Sequence, residues 1–123
     1  MKTRLFLAFT FFFAATVFVN AQGNFQRRTV EERVKDVMEK VSTSLSLSAE
    51  QKVKTDSAFT QYYRGADKLR EAAGEGNRPE RADFEKLMAE RDEKLKAVFT
   101  ADQYKKFKDE VEATLRPQRR QNN

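Results

Sequence analysis

The sequence predicts an all-α protein built from four amphipathic helices, and three observations carry that expectation. Strand signals are missing: there is no sustained period-2 alternation and no Asn-Gly or Asp-Gly turn between apolar runs, while Ala, Glu, Lys, Gln and Arg dominate. Apolar residues instead recur three and four positions apart. Thr29, Ser48 and Thr100 are each followed three residues later by Glu or Gln, the reciprocal pattern that caps a helix N-terminus.

A segment of different character precedes the helices. Six of the eleven Phe of the 123-residue chain fall in its first 21 residues, where Lys2 and Arg4 lead into an apolar run from Leu5 to Val19 and then Val19-Asn20-Ala21. This is the layout of a secretory signal peptide, and cleavage is expected after Ala21. The run is shorter than the ~20 residues of a spanning helix, and no Cys lies at the cleavage point to take a lipid. An exported, periplasmic protein without stable membrane insertion is the expectation. Without the segment the net charge falls from +5 to +3, and Leu, Val and Phe number only 18, with no Ile. Such a chain lacks a deep core and is saved from disorder only by narrow apolar stripes that pack on each other or on a second copy.

Residues 22–28 are expected to be flexible, and the helical domain to span 29–116. The first helix, capped by Thr29 and Glu32, lines up Val30, Val34, Val37, Met38 and Val41 on one face. Ser42 to Ser46 is expected to interrupt it. The second starts at Ser48 with Gln51 and runs to about Ala73. Its Phe59, Tyr62, Ala66, Leu69 and Ala73 have the spacing of a helix–helix seam, and its length of nearly ~40 Å implies an elongated molecule. Gly74 to Pro79 reads as the loop that reverses the chain, with Asn77 and Pro79 suited to starting the third helix. That helix carries Phe84, Leu87, Met88, Leu95 and Val98 on one face. Arg91 falls in its seam, read as an aliphatic stem laid over the seam, with a carboxylate contact as the alternative. The fourth starts at Thr100 with Gln103 and turns Tyr104, Phe107, Val111 and Leu115 inward. Residues 117–123 form a polar, disordered tail.

Leu47-Ser48-Ala49-Glu50-Gln51 and Phe99-Thr100-Ala101-Asp102-Gln103 repeat one pattern: apolar, hydroxyl, Ala, acid, Gln. Two well-made helix starts account for it: hydroxyl and Gln cap each other's backbone, the acid faces the positive end of the dipole, and Leu47 or Phe99 staples the entry. Two such motifs about 50 residues apart, in an exported helical chain, resemble the LTxxQ family of periplasmic proteins, the Spy/CpxP group. Ser48 replaces Thr in the first copy and Phe99 replaces Leu in the second. The resemblance implies a four-helix hairpin-like fold that dimerises into a thin, curved cradle. It also implies a role in envelope stress, as an ATP-independent chaperone or as a regulator of a sensor kinase.

The chain has no Cys and no His. That removes disulfides, Cys/His zinc sites and His-based catalytic sets. Met38 and Met88 are read as packing residues, and Glu31/Glu32, Asp92/Glu93 and Asp109/Glu110 are adjacent pairs on solvated faces, so no metal and no cofactor are expected. A flat helical layer of this size offers no desolvated pocket for paired carboxylates, and no enzyme is expected. The expected function is the holding of unfolded or damaged envelope proteins, with Phe59, Tyr63 and Arg64 as candidate client contacts. Regulation of an envelope-stress sensor kinase is the alternative. Polyanion or membrane-surface binding through Arg27, Arg28, Arg116, Arg119 and Arg120 ranks below both, and nucleic acid is not an expected partner.

Overall fold

The computed structural model describes residues 27–116. The expected signal segment with its cleavage after Ala21, and the tail 117–123, lie outside the described residues. Within them every regular element is helical. Helix α1 is Val30–Leu45, α2 is Ala49–Ala73 and α3 is Arg81–Val98. The fourth, α4 (residues 101–115), joins three consecutive stretches: α-helical Ala101–Lys106, π-helical Phe107–Val111 and α-helical Glu112–Leu115. No helix among the described residues is long and apolar enough to cross a membrane.

All three hydroxyl-led starts form complete capping boxes. The side chains of Thr29, Ser48 and Thr100 accept from the backbone N–H of Glu32, Gln51 and Gln103, whose own side chains accept from the cap backbone. Two boundaries differ from the sequence expectation. Helix α1 continues through Ser42, Thr43 and Ser44 to the buried Leu45, with the Thr43 hydroxyl donating to the Glu39 carbonyl at 2.8 Å. Burial of Leu45 outweighs the weak helix preference of the hydroxyl residues, and the reversal falls at Ser46, whose φ of 50° is left-handed. Asn77 does not start α3: its side-chain amide donates to the Ala73 carbonyl at 3.0 Å and closes the end of α2, while α3 begins after Glu80 without a side-chain cap.

Helices α2 and α3 run antiparallel. Gln51 reaches the Val98 carbonyl near one end, and the Arg70 guanidinium lies over the Phe84 ring near the other. At Gly65 the helices come close: a Cβ there would sit 2.8 Å from a Leu87 methyl. Helix α1 packs on α2 as well, so α2 is the floor of a trough walled by α1 and α3. Helix α4 rests in that trough against α1 and α3, with the Phe107 ring edge-on to Phe59 at 6.3 Å. The core follows from this arrangement: Val37, Val41 and Leu45 of α1, Phe59 of α2, Leu95 of α3, Phe99, and Phe107 with Val111 of α4. Burying such aliphatic and aromatic side chains contributes about 1.5–3 kcal/mol each.

Candidate binding site

Three features meet around this core, and the first is built by the repeated motif. Gln51 and Gln103, 52 positions apart, form a carboxamide pair: Gln51 Nε2 donates to Gln103 Oε1 at 2.7 Å, and Gln103 Nε2 donates back to Gln51 Oε1 at 3.3 Å. Each amide spends its other proton on the last carbonyl of the helix preceding the other motif, Gln51 on Val98 and Gln103 on Leu45, both at 3.1 Å. Each side-chain oxygen also takes its own cap N–H at 3.0 Å. Every donor and lone pair of both carboxamides is therefore used, and two otherwise orphaned helix-end carbonyls gain a partner. Leu47 and Phe99, ahead of the caps, are buried beside the pair.

The second feature is a buried ionic network at the π turn. Glu112 donates its backbone N–H to the Phe107 carbonyl five residues back. In a straight α-helix these residues would stand about 140° apart, on different faces. The wider turn brings Glu112 inward, where it accepts from Arg91 at 2.6 Å and from Lys108 at 2.7 Å. Asp92 accepts from Arg91 at 2.7 Å and from Lys108 at 2.8 Å, closing a four-residue ring of charges. Arg91 is only 6% exposed, with its guanidinium 5.0 Å from the Tyr62 ring centroid and 5.8 Å from those of Phe59 and Phe107. The expected stem over the seam is corrected by this geometry: the whole side chain is taken inside because two carboxylates meet it there. Asp92, expected on a solvated face, is half-buried for the same reason. Burial works against the charge on Arg91 and on Lys108, but the hydrogen bonds and charges of Asp92 and Glu112 outweigh it and hold both cations above their ordinary pKa.

The third feature is the part of the trough that α4 leaves uncovered, an open cleft of about 810 Å³. The expectation of a flat layer without a pocket is corrected here, because two walls rise beside α2 and α4 stops short of its end. Tyr62, Tyr63, Phe84 and Met88, all half-buried, give the cleft its aromatic and thioether surface. Around them stand seven cationic side chains, among them Arg28, Arg33, Arg70, Arg81 and Arg116, against the three carboxylates of Asp36, Glu85 and Glu112. Each of those carboxylates is paired with an arginine, and Arg33 and Arg70 share Asp67 just behind the lining. The cleft thus offers apolar surface and net positive charge, without an uncommitted acid or base. Burial, together with the neighbouring Tyr62, pushes the Tyr63 hydroxyl above its ordinary pKa, against the pull of Arg33 and Arg91. Among the described residues no three carboxylates gather as a metal site would require.

The three residues expected to touch a client have separate fates. Phe59 is 1% exposed at the centre of the core, which removes it as a contact: its ring is consumed by Phe107, Tyr63 and the Arg91 guanidinium. Tyr63 lines the cleft, with Arg33 over its ring at 4.9 Å. Arg64 is exposed and is not part of the cleft lining. Tyr62, expected in the seam of α2, and Tyr63 are both half-buried. Glu112 and Phe84 were not singled out by pattern as site residues; Phe84 carried a signal as an aromatic near the loop, and Glu112 carried none. No protein-family model, no curated protein and no solved structure matches the chain.

Proposed function

We propose that this is an exported, Spy/CpxP-like helical binding protein that holds unfolded or stress-damaged envelope proteins without ATP, working as a thin, elongated homodimer in the periplasm. The observation that supports this reading is the open cleft, with its aromatic floor and cationic rim. Surfaces of that kind attract chain segments carrying apolar and acidic side chains, and an open trough admits them without a preformed fit. The carboxamide pair and the ionic ring, by this reading, keep the floor rigid while clients come and go.

Suppression of aggregation is the decisive measurement. The purified protein is expected to keep a chemically denatured client in solution at near-stoichiometric ratio in the absence of ATP, with light scattering giving the mass of a dimer. Client aggregation unchanged at several-fold excess of the protein would remove the reading.

A further inference from the structure

We propose that the open half of the trough seats an acidic amphipathic helix of a partner protein, laid where a longer α4 would run. This rests on the cleft being the binding surface, and adds the conformation and charge of what enters it.

Shape supplies the first argument. The trough already holds one helix: α4 lies on Phe59 between α1 and α3 and presents Phe107, Val111 and Leu115 inward. The chain reaches Arg116 at the mouth of the cleft, while the floor continues along α2 as far as Arg70. From Tyr62 to Arg70 that is about 12 Å at a rise of ~1.5 Å per residue, room for about two helical turns, enough for positions i to i+7. A helix places residues i, i+3, i+4 and i+7 on such a floor, whereas an extended strand turns every second side chain away.

Charge supplies the second. Tyr62 on the floor and Phe84 and Met88 on the α3 wall line the cleft, and Arg28, Arg81 and Arg116 are exposed around it, the first two each beside one carboxylate, Asp36 and Glu85. The occupant that matches is apolar on one face and carries carboxylates on both flanks. The termini of this chain do not match: residues 1–30 contain no Asp or Glu, and residues 117–123 contain neither carboxylate nor any apolar side chain beyond Pro117. Either terminus would bring cations to a cationic rim.

The test uses the whole protein and a fluorescently labelled peptide of about 14 residues, with Leu at i, i+3, i+4 and i+7 and Glu on the flanks. Fluorescence anisotropy is expected to show saturable binding that weakens with salt. A central proline in the peptide, or Lys in place of every Glu, is expected to weaken binding by about tenfold or more. Arg81→Glu combined with Arg116→Glu, both at exposed positions, is expected to do the same with helicity by circular dichroism unchanged, whereas Lys52→Glu on another face leaves binding intact. Equal binding of the proline peptide would overturn the helical occupant, and indifference to the double change would place the peptide elsewhere. Displacement of the peptide by phosphatidylglycerol vesicles, with vesicle binding itself lost in the double variant, would assign the cleft to a lipid surface instead. Dissociation of a dimer by the same double change would assign it to a second copy of the chain. Client holding without peptide binding overturns this inference and leaves the proposed function standing; peptide binding without client holding does the reverse.

Discussion

The two ends of the helical layer draw on different residue types and come out differently. At the end where α1 meets α2 and α3 meets α4, the buried residues Leu45, Leu47, Leu95, Phe99 and Phe107 gather beside two saturated carboxamides. At the end nearer the α2–α3 loop, Ala66 is the last fully buried residue of α2, no residue of α3 before Arg91 is buried, and Tyr62, Phe84 and Met88 stay partly open among arginines. A chain poor in aliphatic residues has sealed one end by concentrating them there. The lesson is that its shortage of core is a matter of distribution, and the unsealed end is where aromatic surface stays open.

The largest effect expected from breaking this contrast comes from truncating one aromatic at each end. Phe59→Ala is expected to cost about 3–5 kcal/mol of unfolding free energy, and Phe84→Ala about 1 kcal/mol or less, because only the first leaves a closed cavity. Denaturant melts of the two variants check it, and equal losses would dissolve the distinction between the ends. Next comes the ionic ring. Glu112→Gln, which strips one charge facing the buried Arg91, is expected to cost about 2–4 kcal/mol, while Arg91→Met combined with Glu112→Leu is expected to recover most of that loss. A double variant no better than the single one would show that the ring contributes more than mutual compensation.

The carboxamide pair follows. Gln51→Ala and Gln103→Ala are each expected to cost about 1–2 kcal/mol through the lost cap and the carbonyl left unpaired. Because each amide is the other's partner, the double change is expected to cost less than the sum, and a double-mutant cycle measures the coupling; strict additivity would mean two independent caps. The smallest effect is on pH. Lys108 and Arg91 hold their protons more tightly in the folded chain, so their contribution is complete below their ordinary pKa values, 10.5 for Lys108 and higher still for Arg91, and is lost as pH rises through the raised ones. Tyr63 acts in the same direction, since above its ordinary 10.0 the unfolded chain ionises it first. Thermal melts between pH 8 and 11.5 are expected to show stability falling beyond about pH 10, with a shallower fall in Tyr63→Phe.

Helix starts were the most legible part of the sequence, because a capping box is complete within four residues and Thr29, Ser48 and Thr100 each carry one. The seam along α2 was legible too, since Phe59 and Ala66 bury as their spacing requires. What stayed hidden depends on long separations or on a break in helical period. Gln51 and Gln103 each satisfy the local pattern of a cap, so nothing in either segment calls for the other. Arg91 looked like a misplaced cation because its partner Glu112 sits on an outer face at 3.6 residues per turn and comes inside only through the π turn. The cleft is set by where α4 ends relative to α2, a comparison of two lengths in space that no window of sequence contains.

The π turn also bears on how this protein would be recognised in other sequences. It amounts to one residue inserted into an otherwise regular helix, and its removal would swing everything beyond Val111 by about 100° around the axis. Glu112 would then leave Arg91 without any side chain having been exchanged. In an alignment the presence or loss of the ionic ring would accordingly register as a one-residue gap between Phe107 and Glu112, and a comparison that scores only substitutions would pass over it.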